Sequence, residues 1–193
     1  MDPRAIVRHA HFPLGRRIIA VSDIHGNLPF FTGLMKEISF TQDDILVLVG
    51  DMLEKGQQSL PLLRHLMALS KTHTIYPVCG NCDGGDLRRL YPTLLRFRCE
   101  EADILIKHIG GYPGNYDRSI RGTLFVRPPQ LFISGHSHIL KVIYDKTLRC
   151  LHINPGAAGL QGWQKTRTLV RFNVDGREFK DLEIIELAAR GER

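Results

Sequence analysis

The sequence lacks long apolar runs, and it contains only four cysteines and one tryptophan in 193 residues. None of its apolar stretches approaches the ~20 residues that a membrane-spanning helix needs, so we expect no membrane segment. Residues 1–17 have no apolar core of the ~7–15 residues that a signal peptide requires. Few cysteines without such a signal predict reduced thiols, and therefore a cytoplasmic protein.

The sequence also lacks any dense block of charge of one sign. Its net charge of +6 favours anionic partners in general. The arginines fall into scattered pairs, which we interpret as solvated surface: Arg16 with Arg17, Arg88 with Arg89, and Arg96 with Arg98. Nucleic acid is therefore only weakly supported as a partner, and a homo-oligomer of this chain stays an open alternative.

What remains is the composition of an ordinary globular protein, with 43% hydrophobic and 24% charged residues. A chain of this length can bury a proper core in one domain. We interpret residues 1–16 as an N-terminal extension and residues 17–193 as a single domain.

Apolar periodicity predicts alternating strands and helices in the first half of the chain. The predicted strands are 18–22, 45–49 and 74–78, and the predicted helices between them are 28–39 and 57–71. This order predicts a parallel sheet whose sites collect at the carboxyl ends of the strands. Pro77 has no N–H to donate to a neighbouring strand, which predicts an edge strand or a bulge there.

The second half of the chain changes in character after residue 139. Before it, the pattern predicts a short helix over 86–98 interrupted by Pro92, a strand at 104–106, a helix near 117–127 and a strand at 131–133. After it come four strands without helices, at 139–144, 148–153, 167–174 and 179–187. We expect this β-meander to pack as a second sheet against the first.

Polar side chains follow five of the predicted strands at the point where each strand ends. After the first strand, Asp23 and His25 are two residues apart, so in extended chain they point to the same side and can bind one ion. Alone, such a pair is more often an ordinary polar turn. The complete set at the five strand ends is Asp23, His25, Asp51, Asn81, His108, His136 and His138.

Carboxylate, imidazole and amide ligands favour a divalent ion such as Mn, Fe or Zn. Seven ligands are too many for one tetrahedral ion, so the set predicts two ions that share a bridging carboxylate. Two such ions can hold a hydroxide between them and stabilise a phosphoryl oxygen during its displacement.

These motifs resemble the successive blocks of the calcineurin-like metallophosphoesterases, most of all the small, cap-less phosphodiesterases of bacteria and archaea. The resemblance covers about residues 17–160 and rests on Ser22-Asp23-Ile24-His25-Gly26-Asn27, Gly50-Asp51-x-x-Glu54, Gly80-Asn81-Cys82-Asp83, Lys107-His108, Gly135-His136-Ser137-His138 and Asn154-Pro155-Gly156. It implies an α/β fold, a four-layer α/β/β/α sandwich of two mixed sheets flanked by helices.

The resemblance also implies the site and its chemistry. Asp23, His25, Asp51 and His138 would hold one metal, and Asp51, Asn81, His108 and His136 the other. Asp51 would bridge the two, and Asp51, Asn81 and His136 would act directly in catalysis. The implied activity is phosphodiester hydrolysis of a small-molecule phosphoester by a metal-bridging hydroxide. The implied cofactors are two divalent transition-metal ions, Mn first, with Zn, Fe or Ni as alternatives.

Two positions depart from the family pattern. Many members have Gly-Asn-His-Glu, in which the His assists the leaving group, whereas this chain has Cys82-Asp83. Gly-Asp-x-x-Asp-Arg is replaced by a motif that ends in Glu54-Lys55, so a phosphate-binding Arg is missing. Both departures argue against phosphoprotein phosphatase activity, and neither removes a metal ligand.

Two other functions and several substrates are left open. The chain could be a non-catalytic scaffold with the same fold, or Cys79-Gly80-Asn81-Cys82 could be a C-x-x-C redox site. Candidate substrates are nucleic acid, cyclic nucleotide, a nucleotide ester and a lipid-derived diester. We expect the loop 110–121 to form one wall of the site, with the side chains of Tyr112, Asn115, Tyr116, Arg118 and Arg121.

Overall fold

The computed structural model of the chain describes residues 5–9, 16–162 and 164–187. Its helices are α1 (Leu28–Glu37), α2 (Leu60–Leu69), α3 (Gly85–Leu90) and α4 (Arg118–Val126). Its strands are β1 (Ala5–His9), β2 (Arg17–Val21), β3 (Asp44–Val49), β4 (Thr74–Val78), β5 (Leu94–Cys99), β6 (Ala102–Lys107), β7 (Gly111–Tyr112), β8 (Asn115–Tyr116), β9 (Leu131–Ile133), β10 (Lys141–Asp145), β11 (Cys150–Asn154), β12 (Arg167–Asp175) and β13 (Glu178–Leu187).

The strands form two large mixed sheets and one small hairpin. The first sheet has the order β13-β12-β2-β3-β4, the second has the order β1-β5-β6-β9-β11-β10, and β7 pairs with β8. The predicted parallel pairing of β2, β3 and β4 is confirmed. The predicted edge position is also confirmed, because β4 ends the first sheet and Pro77 has no N–H for a further strand.

The layers follow from the alternation of side chains along buried strands. In β3, Leu46 and Leu48 pack under α1, α2 and α3, whereas Val47 points into the cluster between the two sheets. The helix α4 covers the outer face of the second sheet with Ile120 and Leu124. This arrangement is the expected four-layer α/β/β/α sandwich.

The predicted helix over 86–98 is wrong in its second half. The helix α3 ends at Leu90, and β5 (Leu94–Cys99) follows it, pairing with β1 and β6. Pro92 prevents continuation of the helix. After it, Leu95, Phe97 and Cys99 are buried at every second position, which is the period of a strand.

The expectation that the meander forms the second sheet by itself is also wrong. β10 and β11 extend the second sheet, whereas β12 and β13 extend the first. The strands β6 and β9 were expected in the first sheet and lie in the second. The physical reason is that β12 pairs antiparallel with β2 and so covers the edge of the first sheet that the βα units leave open.

The segment 1–16 contributes β1 to the edge of the second sheet, where it runs parallel to β5. The division of the chain after residue 16 stays a prediction. Among the described helices, of which the longest have ten residues, none is long and apolar enough to cross a membrane.

All three of the arginine pairs expected at the solvated surface contain a residue with structural contacts, and Arg88 makes its contacts with the carbonyls of Asp83 and Gly80. Arg17 forms a bidentate pair with Asp44 at 2.6 and 2.9 Å. Arg96 is buried, pairs with Asp103 and donates to the carbonyl of Arg127 at 3.0 Å. Since these guanidinium groups are engaged inside the fold, they are not available to a nucleic acid.

Candidate metal centre

The predicted ligand-bearing loops meet at the rim where the two sheets join. The loops after β2 and β3 are paired, because Asp23 N donates to Gly50 O at 3.2 Å and His25 N donates to Asp51 O at 3.0 Å. The loops after β6 and β9 are joined by Gly135 N, which donates to His108 O at 2.9 Å. Both sheets therefore supply the site, rather than the single sheet expected from the sequence.

One group of side chains consists of Asp23, His25 and His138. Their ligand atoms all lie within 4.8 Å of one another. His138 Nε2 is 3.1 Å from Asp23 Oδ1 and 3.2 Å from His25 Nε2. Two nitrogens on one zinc ion, each at its usual ~2.0–2.1 Å, would lie about 3.3 Å apart in tetrahedral geometry. The observed spacing therefore fits a shared ion.

A second group consists of Asp51, His108 and His136, again within 4.8 Å. His108 Nε2 lies 3.1 Å from Asp51 Oδ2, and His25 Nε2 lies 3.8 Å from the same oxygen. Asp51 thus lies between the two groups, where a bridging ligand has to be.

Two buried atoms at the centre of the cluster have no hydrogen-bond partner. They are Asp23 Oδ1 and His108 Nε2, both electron-pair donors that point at the other ligands. The tautomer of His108 is set by Nδ1, which donates to Val49 O at 2.7 Å and leaves Nε2 as an acceptor. Buried polar atoms are normally satisfied, so these residues fit a divalent metal.

Asp23 is oriented by the atoms around its other oxygen. Asp23 Oδ2 accepts a hydrogen bond from Ser22 Oγ at 2.5 Å and from His136 N at 3.0 Å. The second bond joins the two sheets. It also directs the remaining oxygen, Oδ1, into the cluster.

Asn81 and Cys82 occupy the loop after β4. The exposed amide of Asn81 donates through Nδ2 to Cys82 Sγ at 3.4 Å, and Asn81 lines a cavity of about 230 Å³ together with His108. Cys82 N donates to Asp51 Oδ1 at 2.7 Å. The thiol of Cys82 also lies within 4.8 Å of ligand atoms of His25 and Asp51, which the sequence argument did not anticipate.

The loop is held by two residues to which sequence reasoning assigned no such role. The carboxylate of Asp83 accepts hydrogen bonds from Gly80 N, Met52 N and Leu53 N at 2.9–3.1 Å. Arg88 donates to the carbonyls of Asp83 and Gly80. The available signal was that Arg88 lies five residues after Asp83, at the exit of a Gly-rich turn.

Asn154 performs the same task for the loop after β9. Its Nδ2 donates to Gly135 O at 2.9 Å and to Ser137 Oγ at 3.0 Å, so it fixes the backbone on both sides of His136. Its Oδ1 accepts from Gly156 N at 3.0 Å. The block Asn154-Pro155-Gly156 is thus a support for the histidine loop.

Comparison with protein-family models identifies the family of this chain. The sequence model of the calcineurin-like phosphoesterase superfamily domain matches residues 17–177. This chain belongs to that superfamily. No curated protein sequence matches the chain significantly.

Solved structures with the same fold include proteins described as phosphoesterases. A predicted phosphoesterase from Streptococcus pneumoniae is 18% identical over 91% of both chains, with a TM-score of 0.64. An archaeal phosphodiesterase is 17% identical over 89% of this chain and 99% of its own, with a TM-score of 0.63. Vps29 from Entamoeba histolytica, solved with zinc, is 13% identical over 89% and 98%, with a TM-score of 0.59.

Backbone strain in this superfamily member is concentrated at the site. Nine described non-glycine residues have positive φ, and five of them are Asp23, His25, Asp51, His136 and His138, with φ between 42° and 68°. Each such residue costs roughly 1–3 kcal/mol and persists only where its surroundings enforce it. The fold thus bends the chain at the strand ends in a way that local preference alone does not favour.

The charges of the site shift the pKa of several groups. Burial would raise the pKa of Asp51, but the adjacent His108 ring and the hydrogen bond from Cys82 N outweigh burial and lower it to about 2. Burial lowers the pKa of His25 and of His136. For His108, burial acts downward, but the adjacent carboxylates of Asp51 and Asp23 raise the pKa.

The cysteine pair does not have the properties of a redox site. Cys79 is buried in the apolar cluster under the helices, and no disulfide joins it to Cys82. Burial and the negative charge of Asp51 raise the pKa of Cys82 to about 11. A redox dithiol needs an accessible thiolate with a lowered pKa, so the structure argues against the C-x-x-C hypothesis.

We predict that Gly80→Ala lowers metal affinity by ~10-fold or more, the usual effect of disturbing the support of a ligand. A Cβ at Gly80 would lie 2.0 Å from Asp51 Oδ1, so the carboxylate has to move. Gly84→Ala is the matched control, because no atom lies within 4 Å of its Cβ position. The measurement is metal titration of metal-free protein, with circular dichroism to verify folding. Equal affinity in both variants would contradict the assignment of Asp51.

A second prediction concerns the order in which acid releases metal. Metal-ligating imidazoles are neutral, so protons compete with the metal. Because the pKa of His108 is raised whereas burial lowers the pKa of both His25 and His136, His108 should be the first of these three imidazoles to take up a proton, and its group should lose its ion first as the pH falls. Metal content should fall as the pH drops toward and below ~6.5, the ordinary imidazole value. Metal content of protein dialysed from pH 8 toward pH 5 at limiting metal measures it, and a single-step loss well below ~6 would count against this order.

Proposed function

We propose that this protein is a metal-dependent phosphodiesterase that binds two divalent transition-metal ions and hydrolyses a small-molecule phosphoester. The observation that carries the proposal is the pair of buried, unpartnered atoms Asp23 Oδ1 and His108 Nε2 at the centre of a carboxylate–imidazole cluster. The membership in the phosphoesterase superfamily supports the reaction class. The fold shared with an archaeal phosphodiesterase is consistent with a diester substrate.

The two observed groups suggest how the ions would be shared. Asp23, His25 and His138 would hold one ion, His108, His136 and Asn81 the other, and Asp51 both. Mn is the metal expected first, and the zinc-bound Vps29 structure makes Zn a good alternative. Oxygen and nitrogen ligands accommodate either ion.

Two divalent ions, when bound, supply a hydroxide nucleophile at neutral pH and stabilise negative charge on the phosphoryl oxygens. The residues of the chain provide the remaining parts. Asp51 is ionised throughout the neutral range, because its pKa is about 2. His136 and Asn81 are exposed at the rim, where they can contact the oxygens of the scissile phosphate.

Among the described residues of the site, none is a good donor for the proton that a poor leaving group needs. Asp83 is buried, and its carboxylate accepts three backbone N–H groups, so it is turned away from the rim. The thiol of Cys82 has a pKa of about 11 and is a much weaker acid than an imidazolium. Efficient hydrolysis should therefore require a leaving group that departs as a stable anion.

A non-catalytic scaffold is the second candidate function. The likeness in fold to Vps29, a protein named for vacuolar protein sorting, favours it. Metal content and hydrolysis together separate the two: a scaffold would hydrolyse no phosphoester with any of Mn, Zn, Ni or Mg. A panel of phosphoesters assayed with each metal added to metal-free protein is the direct experiment.

We predict that Asp51→Asn lowers phosphodiesterase activity by ~100-fold or more, because it weakens both proposed metal sites together. Bis(p-nitrophenyl) phosphate with added Mn serves as substrate, and metal content is measured on the same samples. Asp43→Asn, at an exposed position before β3, is the matched control and should retain wild-type activity. Near-native activity of purified Asp51→Asn would falsify the assignment.

The last prediction for the reaction concerns Cys82. Wild-type rates should fall steeply from aryl to alkyl phosphodiesters, and Cys82→Ala should leave this dependence almost unchanged. Cys82→His should accelerate the alkyl esters most, by up to ~10²–10⁴-fold, which is the usual range of general-acid catalysis. A leaving-group series on the three proteins measures this. If the wild-type series is flat and Cys82→Ala makes it steep, then Cys82 is the proton donor.

A further inference from the structure

A cavity of about 480 Å³ opens beside His136, between the β7–β8 hairpin and the start of β10. Its volume is in the usual ~300–1,000 Å³ range of small-molecule sites. Its wall includes Tyr112, Arg118 and Lys141. The expected wall from the loop 110–121 is therefore present, except that Arg121 lies outside this cavity on α4.

The cavity has an excess of positive charge. Lys141 and Arg118 line it, and in the described part of the chain neither forms an ion pair. Asp117 is the single carboxylate of the lining, and it already caps α4 by accepting hydrogen bonds from Ser119 N at 2.8 Å and from Ser119 Oγ. Two cations against one carboxylate leave the lining with a net positive charge, which favours an anionic ligand.

Lys141 is held in a defined place over an aromatic ring. Its Nζ lies 3.6 Å from the centre of the Tyr112 ring, a cation–π contact that restricts the long side chain. The β7–β8 hairpin, which carries Tyr112, is itself fixed to β10. Tyr116 OH donates at 2.8 Å to Oδ2 of Asp145, the last residue of β10, whereas Lys141 is its first. Lys141 and Tyr112 are therefore both positioned before a ligand binds.

This inference rests on the proposed phosphodiesterase function. We propose that the cavity binds a second phosphate of the substrate, which lies one ester unit from the scissile diester and pairs with Lys141 and Arg118. The substrate class is then a phosphodiester that carries a terminal phosphate, in preference to a diester without one. The adjacent His136 connects this subsite to the reacting centre.

The test uses pairs of substrates that differ only in a terminal phosphate, with Mn-loaded, full-length protein. One pair is the p-nitrophenyl ester of thymidine 3′-phosphate with and without a 5′-phosphate, so that the leaving group is the aryl anion that the site handles well. The other is a p-nitrophenyl diester of glycerol phosphate with and without a terminal phosphate, which removes the nucleoside from the comparison. We expect the wild type to prefer the phosphorylated member of both pairs by ~10-fold in kcat/KM, the effect of one hydrogen-bonded ion pair.

Lys141→Met keeps the apolar stem over Tyr112 and removes the charge. This variant should lower the ratio of kcat/KM between the two members of each pair to nearly one. Lys141→Arg should retain most of the preference. Lys146→Met is the matched control, because Lys146 is exposed in the turn after β10 and lies outside the cavity. This control should keep the full preference.

The outcomes distinguish failure of the phosphate subsite from failure of the phosphodiesterase proposal. Equal kcat/KM within either pair, or a full preference in Lys141→Met, overturns the phosphate subsite while the phosphodiesterase proposal survives. Absence of hydrolysis of both pairs and of bis(p-nitrophenyl) phosphate overturns the phosphodiesterase proposal, and the subsite with it.

Discussion

The structure depends on two carboxylates, Asp23 and Asp51, that are held almost without solvent exposure at the junction of the two sheets. Each lies near an imidazole that the opposite sheet supplies. Asp51 Oδ2 is 3.1 Å from His108 Nε2, and Asp23 Oδ1 is 3.1 Å from His138 Nε2. Burying a carboxylate is costly unless it is paired or binds a metal. Because two such carboxylates lie side by side, binding of a cation would stabilise the folded state.

At the same junction the loops pack so closely that some positions have no space for a Cβ atom. Glycines stand where one loop touches the next: a Cβ at Gly135 would lie 2.0 Å from Ser22 Oγ, and one at Gly80 would collide with Asp51. The candidate ligands themselves adopt left-handed backbone conformations. Strain of this kind persists only where the surrounding structure enforces it. Asp83, Arg88 and Asn154 supply that enforcement through hydrogen bonds to the loop backbones.

Much of the first sheet could be predicted from local pattern. The strands β2, β3 and β4 are buried on both faces, and a run that is apolar at every position, such as 45–49, indicates such a strand. The strand β5 was missed because its period-two pattern follows a helix and a proline, and a short apolar segment can be read with either period. The roles of Arg17 and Arg96 were missed because a paired arginine and a solvated one look alike in sequence.

The sequence by itself determined which chemical groups stand at which strand ends, because the end of an apolar run and the polar residue after it are local properties. Only the tertiary structure decided which of those ends meet. His25 and His138 are 113 residues apart and their Nε2 atoms are 3.2 Å apart. That contact depends on β9 joining the second sheet and β12 joining the first. Such pairings are selected by the packing energy of the whole domain. The apolar periodicity within one segment carries no information about that energy.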